Sequence, residues 1–316
     1  MDTVIKRITQ RIVGRQEEIT VILSALESGR NIFLEGPPGT SKSTILRVVV
    51  EELGRPFHWI TGNSDLTATK LLGYFDPSLV LSHGYKPENF EYGALTKAMV
   101  DGGILYVEEF NRLPDDTCNA FISAMSERSI PIPRLGTVEA KPTFCVVASL
   151  NPYDDAGTLN ISRALRDRFC SIRMDYQLKN EEIEIVWTQV HNQISPPTLH
   201  LPNIVEASVE MSRRTRVHPD LRMGSSVRGA IDMALLAIRL IAHNREFTSN
   251  KPDLELLRTA AHAALRDKIR VNEVSDQTSD EILDAIWASF VEDSKIDDEG
   301  LWDLGLLDDG KKKTQI

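Results

Sequence analysis

The 316-residue chain has three cysteines, Cys118, Cys145 and Cys170, scattered with no CxxC or other metal-ligand spacing. That scarcity excludes a disulfide scaffold and a structural zinc site. Long apolar runs are missing too: nothing approaches the ~18 uninterrupted apolar residues that a membrane-spanning helix needs. The opening stretch MDTVIKRITQRIVGRQ holds no apolar core of the kind a secretory signal carries, so a cytoplasmic location is the expectation. A basic surplus is also absent. The net charge of −10 speaks against broad nucleic-acid binding. The acidity is local, however: Asp276 to Asp309 contains 12 acidic residues against one lysine, and residues 1–275 sum to only −2. A nearly neutral body can still carry a basic groove, so the overall charge describes the C-terminal end.

Several segments carry a clear period. Residues 16–29 place Ile19, Ile22, Leu23 and Leu26 at helical spacing, with Gly29 as a stop. NIFLEG (31–36) reads as a short buried strand, and TILRVVVEELG (44–54) as a helix. GILYVEE (103–109), FCVVASLN (144–151) and, more weakly, SIRMDY (171–176) read as further buried strands, with a helix at 115–127 between them. Strand, glycine-bearing turn and helix form the front half of a βαβ unit, which brings a parallel sheet with it. The expected fold class is therefore α/β: a P-loop α/β sandwich with a parallel sheet over 1–180. A small all-helical domain follows over 181–270, with helical periods at 181–194, 203–213, 225–243 and 253–270. Residues 271–316 form an acidic tail, in which Ile282, Leu283, Ile286, Trp287, Phe290 and Val291 make one apolar stripe. With LWDLGLL at 301–307, the tail reads as folded or partner-bound.

The strongest chemical signal lies between the first strand and its helix. In GPPGTSKS, the residues Gly36, Pro37, Pro38, Gly39, Thr40, Ser41, Lys42 and Ser43, with Thr44 behind them, are the candidate nucleotide-binding set. Such a loop wraps backbone N–H groups around phosphate, and the helix aims its positive end at the same charge. Lys42 would reach the β- and γ-phosphates and Ser43 would ligate Mg²⁺. The usual pattern is GxxxxGK[ST], and here Ser41 stands at the second glycine. ILYVEE ends in two carboxylates, where a P-loop ATPase holds magnesium and activates water. Glu108, in place of the usual Asp, would hold Mg²⁺, and Glu109 would polarise the attacking water.

The order of these elements resembles the AAA+ ATPases, and more narrowly the MoxR family, from IVGRQEEI (12–19) to about residue 270. EEFNR (108–112) is similar to the family's DEINR, DDTCNAFISAMSER (115–128) to PPKxQxALLEAMxER, and SLNPYDDAGT (149–158) to TQNPxxxxGT. RALRDRF (163–169) resembles LDRF, and GSSVR (224–228) resembles GASPR. The resemblance implies that Asn151 holds the lytic water or the γ-phosphate. It implies that Arg168 is the arginine finger offered to a neighbouring subunit, with Arg163 and Arg166 competing for that role. It makes Arg228 the second sensor, acting in its own subunit or the next. Two insertions, 61–95 and 126–142, would face the pore or a partner, with Tyr85, Lys86, Phe90 and Tyr92 as contact candidates. The implied activity is ATP hydrolysis with Mg²⁺ by a ring, a homo-oligomer of six subunits, that remodels a client protein, commonly beside a partner with a von Willebrand factor A domain. A nucleotide-dependent binding scaffold with little hydrolysis is the alternative, kept open by Ser41 and Glu108. A DNA-acting motor is the third reading, disfavoured by the acidic balance.

Overall fold

The computed structural model describes residues 2–152, 161–194, 201–246 and 253–294. It divides into two compact units, Met1–Tyr176 and Gln177–Ile316.

In chain order the first unit runs α1 (Asp2–Thr9), α2 (Gln16–Glu27), β1 (Asn31–Glu35), α3 (Lys42–Leu53), β2 (Phe57–Thr61), α4 (Ala68–Leu72), β3 (Gly73–Phe75), α5 (Pro77–His83), β4 (Phe90–Tyr92), α6 (Ala94–Asp101) and β5 (Ile104–Glu108). It continues with α7 (Asp115–Ser126), β6 (Ser129–Ile132), β7 (Gly136–Glu139), β8 (Cys145–Leu150), α8 (Arg163–Arg166) and β9 (Phe169–Arg173). Five strands pair in parallel in the order β2-β5-β8-β1-β9. The three central strands are buried almost throughout, as strands of a parallel sheet covered on both faces must be. Alternation then sorts their side chains. Ile32, Leu34, Ile104, Tyr106 and Val147 join the core beneath α2 and α3, whereas Phe33, Leu105, Val107, Val146 and Ala148 join the core on the opposite face, with Leu95, Met99 and Phe121.

The sequence periods locate these central elements, with shifts at their ends. The helix expected from residue 44 begins at Lys42, so Lys42 and Ser43 lie in its first turn. The strand expected at 171–176 lies at Phe169–Arg173. β2 carried no clear period because it is an edge strand, buried on neither face along its length. The two insertions form small antiparallel hairpins, β3–β4 and β6–β7.

The second unit contains α9 (Lys179–Gln193), α10 (Leu201–Val217), β10 (Leu221–Met223), α11 (Val227–Glu246), α12 (Asp253–Leu265), β11 (Arg270–Val271) and α13 (Ser279–Asp293). The apolar stripe read into a separate tail packs instead into this unit: Ile282, Leu283, Ile286, Trp287 and Phe290 of α13 share one core with α9 to α12. Polar contacts along the seam fix the docking. Arg258 bonds Asp284 at 2.7 Å, Arg266 bonds Asp280 at 2.8 Å, and His262 meets both carboxylates, at 3.1 and 2.8 Å. Residues 301–307 lie outside the described residues. Among the described residues, no helix is long and apolar enough to cross a membrane.

Candidate nucleotide site

Three strand ends define the site. β1 and β8 pair to Glu35↔Leu150, so Asn151 leaves the sheet beside Gly36, whose N–H reaches Leu150 O at 3.4 Å. β5 lies on the other side of β8 and ends in Glu108. The loop from Gly36, the acids after β5 and the amide after β8 therefore converge at the carboxyl ends of adjacent parallel strands, where open α/β sheets bind ligands.

The loop's conformation explains its residues. A Cβ on Gly36 would stand 2.0 Å from Met174 O, so the chain leaving β9 passes too close for any side chain. Gly39 has φ +76° and Ser41 has φ +65°. The serine thus adopts the left-handed backbone for which a glycine is expected at this position, at a cost of about 1 kcal/mol. Ser41 supplies no side-chain cap to α3, which leaves first-turn N–H groups directed at whatever anion the loop receives. Thr40 is buried and donates to Pro37 O at 2.9 Å, bracing the turn. The Lys42 ammonium lies inside the loop, donating to Gly36 O and Pro37 O at 2.8 Å each and to Thr40 Oγ1 at 3.2 Å. A cation held inside the curve of the loop is placed to meet phosphate oxygens there, exchanging carbonyls for stronger charged acceptors.

Glu109 also has a left-handed backbone, φ +54°. Strain of this kind gathers at functional sites. The turn is secured from β2: Gly62 donates to Glu108 O at 2.7 Å, and a Cβ on Gly62 would lie 2.3 Å from Glu109 O. The Glu109 carboxylate pairs with Arg112 at 3.0 Å, both side chains about 40% exposed. Glu108, two residues beyond Tyr106, falls on the α3 side of the sheet, the side of Ser43. Among the described residues no three His, Cys, Asp or Glu side chains form a metal cluster. The donor set of one hydroxyl and one carboxylate instead fits Mg²⁺, which keeps several waters and takes further ligands from phosphate.

Two residues that the motifs did not single out lie beneath these acids. Tyr106 Oη and Ser149 Oγ are 2.9 Å apart and buried. Burial holds the Tyr106 phenol well above its ordinary pKa, with the Glu108 charge adding to that and the Ser149 contact opposing it, so the proton stays on. The signal was a hydroxyl interrupting each of two apolar strands.

The arginines separate. Arg168 O accepts from Asn31 Nδ2 at 3.4 Å, beside the start of β1, about 13 Å of strand from Glu35. Its guanidinium bonds Ser126 Oγ and Ala164 O. Arg168 is therefore not gathered into the strand-end cluster of its own chain. Arg166 pairs with Glu35 at 2.8 Å, at the base of the loop, and Arg163 is exposed. Arg228, in the other unit, is exposed in the first turn of α11, where its N–H donates to Ser226 Oγ at 3.3 Å. Of the insertion aromatics, Phe90 is buried against Phe75 and Tyr92, so it packs rather than waiting for a partner. Tyr85 and Tyr92 are exposed, and Arg134 of the β6–β7 hairpin stacks over Tyr85 at 3.9 Å. Residues 153–158 of the motif after β8 lie outside the described residues.

A parallel sheet in this order, with a glycine-bearing loop after β1 and paired acids after β5, has the arrangement of a P-loop ATPase. The family model for the AAA domain (dynein-related subfamily) matches residues 31–169. The uncharacterized protein SSP1341 of Staphylococcus saprophyticus is 30% identical over 216 residues, covering 68% of this chain and 80% of its own length. The uncharacterized protein YeaC of Bacillus subtilis is 26% identical over 264 residues, 77% of this chain and 79% of its own. Among solved structures, a candidate ATPase from Cytophaga hutchinsonii aligns with a TM-score of 0.51 at 22% identity, covering 91% of this chain and 93% of that one. A point mutant of Thermotoga maritima RuvB aligns at 0.51 and 18% identity, covering 92% and 74%. The chain is an AAA+ ATPase, and it belongs to the family that contains SSP1341.

Proposed function

We propose that this ATPase is of MoxR type: a ring-forming, Mg²⁺-dependent enzyme, a hexamer, that uses ATP to remodel or mature a partner protein. The observation that carries the catalytic part is the convergence of the Gly36–Ser43 loop, Glu108, Glu109 and Asn151 at three adjacent strand ends. Residues 36–44 hold the triphosphate, with Lys42 as its cation. Ser43 and Glu108 hold Mg²⁺, which when bound offsets charge on the phosphate oxygens. Glu109 accepts the proton of the attacking water after giving up Arg112, and Asn151 orients that water without adding charge. Arg168 serves the neighbouring subunit, in keeping with its distance from its own loop, and Arg228 couples the helical unit to nucleotide state.

The remodelling part rests on the insertions and on the MoxR-like motifs. The stacking of Arg134 on Tyr85 joins the two insertions, so a client would meet one coupled surface. A partner with a von Willebrand factor A domain is the expected companion. A second reading, a nucleotide-dependent scaffold, draws on the Glu109–Arg112 pair, which keeps the water-activating acid engaged.

Phosphate release by the wild type, measured against a Lys42→Ala control across concentrations that allow rings, separates the readings; no release above the control leaves the scaffold. Mixing Glu109→Gln with Arg168→Ala subunits tests the shared site. Partial recovery of hydrolysis is expected, and none would mean self-contained subunits.

A further inference from the structure

Two hydroxyls stand on a face of the sheet whose buried side chains are otherwise aliphatic apart from the Cys145 thiol. Tyr106 is fully buried on β5, Ser149 is 2% exposed on β8, and their oxygens are 2.9 Å apart. A neutral hydroxyl pair adds little net stability over a well-packed apolar pair of the same shape, so core stability alone is a weak reason for it.

Its position supplies a better one. The β5–β8 pairing ends at Val107↔Ala148. On its outer side β5 stays paired with β2 as far as Thr61↔Glu108, and β8 stays paired with β1 as far as Glu35↔Leu150. Each strand is thus fastened farther out on the side away from the other, and a seam opens between β5 and β8 where Glu108 and Asn151 emerge. The Tyr106–Ser149 hydrogen bond runs diagonally across the mouth of that seam, from Tyr106, still paired with Val147, to Ser149, one residue past the last pair, and it lies two residues before Glu108 on one strand and two before Asn151 on the other. The phenol is itself held in place. Phe57 stacks on it at 6.4 Å and 15°, Trp59 tilts against it at 5.5 Å, and Arg47 of α3 lies over Trp59 at 4.9 Å. The pair is therefore braced from the helix that begins at Lys42.

We propose that the Tyr106–Ser149 hydroxyl pair is a positioning clamp, setting the separation of Glu108 and Asn151 for the hydrolytic step. This rests on the reading of Glu108 as the Mg²⁺-holding acid and Asn151 as the water-orienting amide. Neither hydroxyl touches nucleotide; both act through the strand ends they join.

The test uses the full chain with Tyr106→Phe and with Tyr106→Phe/Ser149→Ala. Phosphate release is measured against ATP and against Mg²⁺, alongside binding of a fluorescent ATP analogue and a thermal melt. The expected result is a loss of about tenfold in kcat and a higher half-saturating Mg²⁺, the size usual for groups that orient metal ligands. KM for ATP and analogue binding should hold at wild-type values. A merely structural pair would move the melt and leave kcat and the Mg²⁺ dependence alone, and that result overturns the clamp. If the double variant does not fold, Tyr106→Phe, which removes a single oxygen, decides the matter by the same readouts. A wild type that releases no phosphate sinks the hydrolysis reading and the clamp with it, whereas active variants beside an active wild type sink the clamp alone.

Discussion

The two units hold their key residues by opposite physical means. In the first, Ser41 and Glu109 sit in left-handed backbone at the ends of a rigid parallel sheet, and their neighbours Lys42 and Arg112 make short-range polar contacts near the surface. In the second, the loop leading to Arg228 rests on buried charge. Glu182, 2% exposed, accepts from Arg213 at 2.9 Å and Arg216 at 2.7 Å, and Arg216 donates on to Ser225 O at 2.7 Å. Ser225 N–H reaches Thr215 Oγ1 at 2.8 Å, and Ser212 donates to Ser226 O at 3.0 Å. Gly224 belongs to the same packing, since a Cβ there would stand 2.5 Å from the Arg216 backbone. A sheet end can store strain because the ladder behind it does not yield. A helical unit lacks such a ladder, and here a polar network fixes the turn instead.

The largest expected effect breaks the first arrangement at its charge. Lys42→Ala should weaken ATP binding by on the order of a hundredfold, because hydrogen bonds from a cation to phosphate are among the strongest polar contacts; titration with a fluorescent analogue measures it. Next comes the buried network. Glu182→Ala removes the carboxylate that two guanidinium groups share, leaving each a backbone acceptor, and should destabilise the helical unit by about 3 kcal/mol in urea unfolding. Replacing Glu182, Arg213 and Arg216 together by apolar residues should cost much less, and equal losses for the single and triple variants would show that shape, not charge, governs the site.

Smaller still is the strain at the loop. Ser41→Gly relieves the left-handed serine but loosens the unfolded chain, leaving a net gain of no more than about 0.5 kcal/mol, visible as a slightly higher Tm with ATPase activity retained. A lower Tm would show that the serine side chain contributes more than its backbone costs. The smallest effect belongs to the α12–α13 seam. The His262 contact and then Arg266 hold the Asp280 carboxyl below its ordinary range, and Arg258 followed by His262 do the same for Asp284. Depressed carboxyl pKa values stabilise the fold above the ordinary carboxylate range, and that contribution is lost as pH falls below about 4. Both groups are exposed, so salt should flatten the effect. Thermal melts of wild type and Asp280→Asn/Asp284→Asn, taken across that range at low and high salt, should converge at acid pH.

Much of the first unit was legible because each of its signals is local. Buried parallel strands read as unbroken apolar runs, and GPPGTSKS lies within eight consecutive residues. The edge strand β2 was not legible, since half-exposed FHWIT has neither a run nor an alternation. The α13 stripe was legible as a helix, with packing on the helical domain and recruitment of a partner both open to it, and the structure shows the former: periodicity reports that a face is apolar and cannot name what covers it. Phe90 shows the same limit in the insertion, where an aromatic residue reads alike whether it packs or waits for a partner.

The order of residues alone marked out the candidate phosphate loop and the acids after β5, because backbone turn chemistry and strand periodicity act over a few neighbouring positions, whereas the amide after β8 and the class of enzyme came from the resemblance of the ordered motifs. Only the tertiary structure decided that Gly36 is demanded by the chain passing over it, that Glu109 is turned by a contact from Gly62, that Arg168 stands at the far end of β1, and that two core hydroxyls bridge a seam in the sheet. Each of those depends on residues far apart in the chain meeting at contact distance, and chain separation carries no record of that until the sheet has set its strand order.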